Sequence, residues 1–296
     1  MKYKVIVWGM GILYNKHVNC LKYFENVGEM EILGITGNHL PPSNTVDGYS
    51  IIPKEKIKDI PYDLIIVMNE RNKQDIFEEL MERGVSKEKI VTYKMLELPH
   101  VKVEKYLNLK KSNISIISNN CWGGIVYNTL GFECLSPFKN LFLEDDDYLK
   151  LLQHLEDYLR VMPEFDRFET DVHSKQKYPV LRADDIHIHC NHDVDPVVAI
   201  EKWKRRSERM NYNNVFFEMY TDSVVSAERF IRLTQGKKRM CFVPGGVQAY
   251  PKECAKIEGT KELWELVLDT ASGKLVRYNL LNLLSGEGEV ERIGKG

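Results

Sequence analysis

The chain has 296 residues, of which 43% are hydrophobic and 28% charged, with a formal net charge of -2. That composition excludes a disordered or collagen-like chain, and the near-neutral balance excludes recruitment of nucleic acid or an anionic membrane by a global field. Six cysteines, at 20, 121, 134, 190, 241 and 254, form no Cys-x-x-Cys pair, which excludes a zinc ribbon or a thioredoxin-type motif.

In chain order, residues 4–8 are an apolar, β-branched run ending in Gly9-Met10-Gly11, and an amphipathic helix is predicted over 13–26. No long apolar leader precedes this run, and no later apolar run could span a bilayer, so a cytoplasmic protein is expected. Strands follow at 31–36, 49–52, 63–68 and 90–93, with helices at 54–58 and 73–83. This alternation predicts a small Rossmann-like domain over 1–98. The polar, lysine-rich stretch 99–112 reads as a connector, and a larger α/β domain is expected over 113–285.

That larger domain opens on a strand at 114–117, which breaks into Asn119-Asn120-Cys121-Trp122-Gly123-Gly124 before helix-compatible sequence resumes. The four residues 144–147 are acidic and read as the start of a helix over 148–159, because carboxylates complement the positive end of the helix dipole. Residues 164–178 read as a polar loop. Strands are expected at 186–190, 215–220 and 240–243, with helices at 196–210, 223–233, 260–268 and 275–284, and a flexible tail over 286–296. Asp195-Pro196 supplies an N-cap and a first-turn proline for the first of these helices. The fold class is therefore α/β, two Rossmann-like three-layer domains with mainly parallel sheets.

Four groups of residues could carry chemistry. Gly9 and Gly11, between a strand and a helix, would let backbone approach the phosphate of a nucleotide or nucleotide sugar. Against a full dinucleotide site stand Tyr14 where a small residue is wanted, and the lack of a carboxylate at 36–38. The alternative is a turn that only packs the helix on the sheet. His187, His189, Cys190, His192, Asp193 and Asp195 are close together, but their spacing matches no defined ligand set, so no metal is assigned. Lys202, Lys204, Arg205, Arg206 and Arg209 make one helix strongly basic, and Lys202, Arg205 or Arg206, and Arg209 fall three or four apart as a cationic row, suited to phosphate or carboxylate or simply to solvent. Finally, Asn119, Asn120, Trp122, Gly123 and Gly124 are candidate substrate contacts at a strand-to-helix turn. Cys121 is a candidate nucleophile at the helix start and Asn120 a candidate catalytic amide, with burial of the thiol as the alternative.

The run Ser118-Asn-Asn-Cys-Trp-Gly-Gly, with Ser136-Pro137, Phe142, Tyr148-Leu149, Glu201-Lys-Trp-Lys-Arg-Arg, Arg209, Asn211 and Asn214, resembles a bacterial family of unknown function. Its members are often labelled exopolysaccharide or capsular polysaccharide biosynthesis proteins. The resemblance covers about half the chain and implies a role in surface polysaccharide assembly, with no catalytic residue to carry over. The N-terminal part resembles the small Rossmann-like module of sugar acyltransferases. On these readings the expected function is a transferase acting on a nucleotide-activated or phosphorylated sugar. The alternatives are a non-catalytic ligand-binding or scaffold protein of the same pathway, or an NAD-dependent oxidoreductase. No nucleic-acid partner is expected.

Overall fold

The computed structural model describes residues 2–245, 249–257, 263–273 and 279–287. The chain is mixed α/β and divides into two compact units, Met1–Lys111 and Ser112–Gly296. The expected tail beyond residue 287 lies outside the described residues.

In the first unit the elements are β1 (Tyr3–Trp8), α1 (Ile12–Asn26), β2 (Met30–Thr36), β3 (Thr45–Val46), β4 (Tyr49–Ser50), β5 (Leu64–Val67), α2 (Lys73–Glu82), β6 (Ile90–Thr92) and α3 (Val103–Lys111). A parallel sheet in the order β2-β1-β5-β6 forms its centre, so the strand order reverses beside β1. Val5, Ile6, Val7 and Trp8 are all buried, as a strand covered on both faces requires. Helix α1 buries Tyr14, His17, Leu21 and Phe24, three or four residues apart. The 99–112 stretch is not a plain connector: α3 fills most of it and buries Val103, Tyr106, Leu107 and Leu109. Its lysines misled the reading because they occupy the solvent side of a helix that is apolar on the other.

The second unit contains β7 (Ser115–Ser118), α4 (Trp122–Leu130), α5 (Asp145–Gln153), α6 (Leu155–Arg160), β8 (Glu164–Thr170), β9 (Lys177–Ala183), β10 (Ile186–His189), α7 (Pro196–Ser207), β11 (Val215–Tyr220), α8 (Val224–Leu233), β12 (Lys238–Pro244), β13 (Ala255–Ile257), α9 (Leu263–Ala271) and α10 (Leu280–Ser285). Its main sheet is parallel, ordered β13-β12-β11-β7. Trp122 of α4 stacks on Phe216 and packs at a tilt against Phe242, which project from one face of β11 and β12. Phe217, Met219, Cys241 and Val243 project from the other face and join one core with Tyr148 of α5 and Phe230 of α8.

Two expectations change in this unit. The 164–178 loop is instead β8, a turn and the start of β9, within an antiparallel three-stranded sheet ordered β10-β9-β8. Seven mainly charged residues in β8 hid the strand, because an exposed edge imposes no alternation. The single helix expected over 148–159 is two, interrupted at His154, whose backbone (φ -134°, ψ 46°) leaves the helical region.

Candidate functional site

The turn after β7 is built by its own polar groups. Ser118 Oγ donates to the Asn120 carbonyl at 2.8 Å and accepts from the Gly123 N–H at 3.2 Å. Asn120 Oδ1 accepts the Trp122 N–H at 2.7 Å, which starts α4 with Cys121 at the N-cap. Asn119 ties the turn to the neighbouring strand: its Nδ2 donates to the Tyr220 carbonyl at 2.9 Å and its Oδ1 accepts from the Tyr220 N–H at 3.1 Å. The same amide takes Asn120 Nδ2 at 3.0 Å and reaches Asp145 Oδ1 at 3.4 Å. Asp145 also accepts from the Thr221 hydroxyl at 2.5 Å.

These bonds correct the assignment of both asparagines as ligand contacts or catalytic amides. A carboxamide offers two donors and two acceptor sites, and every one on Asn119 is occupied within the protein. Asn120 keeps one acceptor site, but it is buried. Trp122 is fully buried, with its indole N–H without a hydrogen-bond partner. A Cβ on Gly123 would lie 2.9 Å from Ile116 Cγ2, and one on Gly124 2.9 Å from Lys139 Cγ. Both glycines therefore permit close packing of α4 against the sheet and the following loop.

Cys121 keeps its candidacy. Its Sγ lies 3.5 Å from His192 Nε2 and 3.9 Å from the Leu141 carbonyl oxygen. The thiol is half-buried, and His192 is exposed in the turn between β10 and α7. That turn is braced by the Asp193 N–H to Cys190 carbonyl bond of 2.9 Å and by the ion pair of Asp193 with Lys202. Burial pushes the Cys121 thiol up to about 11, with the Glu218 charge adding to the effect. At neutral pH the group is a thiol, so it requires a base at the moment of attack.

Beneath the turn lies Glu218 of β11, with no exposed surface. Its Oε1 is 3.4 Å from Asn120 Nδ2, and its Oε2 has no hydrogen-bond partner. Burial raises its carboxyl to about 8. A charged residue inside the apolar run Val-Phe-Phe-Glu-Met-Tyr was the available sequence signal for this site.

The remaining candidates are placed elsewhere. Arg206 donates to the Lys139 carbonyl at 2.9 Å and Arg209 pairs with Glu133 at 3.0 Å, while Arg205 is exposed. The row thus braces the loop after α4 and does not touch the Asn119–Asn120 network. Asp195 accepts from the Val197 N–H at 2.8 Å as the expected N-cap of α7. His187 lies between Asp147 at 3.3 Å and Asp166 at 3.9 Å, and buried His189 faces Glu169 at 3.4 Å with its ring stacked on Phe142. Among the described residues no group of His, Cys, Asp and Glu side chains is disposed to hold a metal ion. A cavity of about 680 Å³ sits at the other end of the parallel strands, lined by Leu155, Arg160, Tyr212, Phe217 and Lys237, away from Cys121.

In the first unit the Gly9 N–H is already bound to the Thr36 carbonyl at 2.8 Å, and its φ of +109° with Met68 O 3.3 Å from a built Cβ explains the glycine. The Gly9 N–H is thus engaged within the turn itself. Gly11 is the exposed N-cap of α1, and Tyr14 beyond it is buried with its hydroxyl on Asp47 at 2.9 Å. Asn38 donates to Glu79 at 3.3 Å and accepts from Lys54 at 2.7 Å.

Among the described residues no helix is long and apolar enough to cross a membrane. Residues 1–91 match the family described as C2185-like, N-terminal. A Haemophilus influenzae relative, itself described as an uncharacterized protein, is 34% identical over 125 residues. The match covers 42% of this chain and 57% of that protein, so it spans little more than half of the relative's length. Residues 92–278, which hold the Cys121–His192 pair and Glu218, match the family described as Domain of unknown function (DUF1919), and the chain belongs to that family.

Proposed function

We propose that this chain is a cytoplasmic group-transfer enzyme of bacterial surface-polysaccharide assembly, acting on a nucleotide-activated or phosphorylated sugar through Cys121. The observation that carries the reading is the 3.5 Å approach of Cys121 Sγ to His192 Nε2 at the carboxyl end of β7. Nucleophile and base within reach of one another at the end of a parallel strand are the arrangement that covalent transfer requires. His192 takes the thiol proton as sulfur bonds to the electrophilic centre of the donor and the bond from that centre to the phosphate oxygen breaks; the imidazolium passes its proton to the departing phosphate. His192, neutral again, takes the proton of an acceptor hydroxyl as its oxygen bonds to the same centre and the bond to sulfur breaks; the departing thiolate recovers that proton and restores the Cys121 thiol. The polysaccharide context rests on the sequence resemblance of the Asn-Asn-Cys-Trp-Gly-Gly run. Because Arg206 and Arg209 are engaged elsewhere, recognition of the anionic end of the donor is not assigned to them.

The test is a thermal-shift screen of the whole chain against nucleotide sugars, nucleotides and acyl-CoA, followed by intact-mass analysis of any stabilising donor. A covalent adduct on Cys121, absent in Cys121→Ser and formed at least about a hundredfold more slowly in His192→Ala, is the expected result. A ligand that binds equally well to all three proteins without an adduct makes this a binding or scaffold protein.

A further inference from the structure

Strand β8 is the open edge of the antiparallel sheet: among the described residues it pairs with β9 and with no other strand. The opposite edge, β10, is closed by the Phe142–His189 bridge. An edge of seven residues with free backbone groups is a pairing surface unless something blocks it. Here the strand carries two large apolar groups: Phe165 is 42% and Phe168 49% exposed, with their rings 4.9 Å apart. Met162 just before the strand is also 48% exposed. The Phe165–Arg167 irregularity in the β9 register leaves Asp166 without a partner on β9 and sets Phe165 and Phe168 side by side.

The order of residues identifies the partner. Phe165-Asp166-Arg167-Phe168 reads nearly the same in both directions about its centre, with the charges reversed. In a two-fold antiparallel pair, residue i faces residue j and j faces i. Centred between Asp166 and Arg167, that register sets each Phe165 opposite a Phe168 of the other chain and each Asp166 opposite an Arg167. Aromatic pairs and opposite charges directly across an antiparallel ladder are both stabilising. A register shifted by one residue would put Arg167 against Arg167. The one unfavourable pairing in the centred register, Glu164 with Glu169, is eased because Glu169 is held within its own chain by Tyr178 at 3.1 Å and by Arg167 at 2.5 Å. Arg167 also pairs with Asp166 of its own chain, so across the axis two Asp166 and two Arg167 side chains form one alternating network of charges.

We propose that β8 is a homodimerisation edge, pairing antiparallel with β8 of a second copy of this chain to make one continuous six-stranded sheet. The four phenylalanines form the apolar centre on one face, and two Asp166–Arg167 pairs fix the register on the other.

Sedimentation equilibrium of the full-length protein across a micromolar concentration series tests this. The wild type is expected as a concentration-dependent dimer. Arg167→Glu, which sets two carboxylates across each central pair, should raise the dimer dissociation constant by about tenfold or more. Adding Asp166→Arg to Arg167→Glu recreates opposite charges across the axis and should restore dimerisation, with circular dichroism and melting confirming that each variant is folded. Phe168→Asp should leave a folded monomer. A wild type that is monomeric throughout overturns the proposal. So does a dimer indifferent to Arg167→Glu, or one that the second substitution fails to restore.

Discussion

Glu218 is a carboxyl group sealed under the Cys121 turn, with one oxygen near Asn120 and the other without a partner. Burial raises its pKa from 4.5 to about 8, so the folded protein holds this proton more tightly than the unfolded chain does. Its contribution to stability is complete below the ordinary carboxyl range and is lost as pH climbs through about 8. Urea unfolding from pH 5 to pH 9 should therefore show declining stability in the wild type. In Glu218→Gln, which keeps the shape and the Asn120 contact without an ionisable group, that part of the decline should vanish. Equal slopes in the two proteins would refute the assignment of the buried proton. Asn119 and Asn120 show why a residue's type alone misleads at this scale. Carboxamides at a strand end read as ligand contacts, yet Tyr220 and Glu218 of β11, about a hundred residues away in sequence, join Asp145, Trp122 and the two amides themselves in occupying them.

Helix α4 owes its position to what it lacks. Gly123 allows the helix to approach β7 so closely that a methyl group would meet Ile116 Cγ2 at 2.9 Å and Ser118 Oγ at 3.0 Å. Gly123→Ala should destabilise the protein by about 1–3 kcal/mol, through overpacking that outweighs alanine's better helix propensity. Denaturant midpoints decide this: a neutral or stabilising effect would mean that α4 is not held against the strand. Elements with a buried stripe or a buried run, such as α1, β1, β5 and β11, were legible from sequence because burial imposes periodicity. Strand β8 was not, since an edge exposed on both faces imposes none. Helix α3 was hidden for a related reason, its lysines outweighing four buried apolar positions in a compositional reading.

Across the whole molecule the cysteines divide by environment. Cys190, Cys241 and Cys254 are buried, whereas Cys20, Cys121 and Cys134 are half-buried, and all six are free. A thiol-reactive chromophore at neutral pH should therefore label at most three sites in the native protein, and all six after unfolding. The slow native fraction due to Cys121 should accelerate as pH rises toward about 11 and should be missing in Cys121→Ser. Fast labelling of Cys121 at neutral pH would mean that its thiol is already ionised.

The sequence by itself determined the α/β class, the parallel sheets, most helix and strand positions, and the strand-to-helix turn that bears Cys121, because each depends on local periodicity, propensity or turn chemistry. Tertiary structure alone decided which side chains meet. It brought His192 to within 3.5 Å of Cys121 across 71 positions of chain, set Glu218 beneath Asn120, and turned Arg206 and Arg209 away to the loop after α4. The physical reason is that a side chain's chemistry depends on its neighbours and its burial. In a parallel sheet those neighbours come from strands that the chain reaches only after long crossovers.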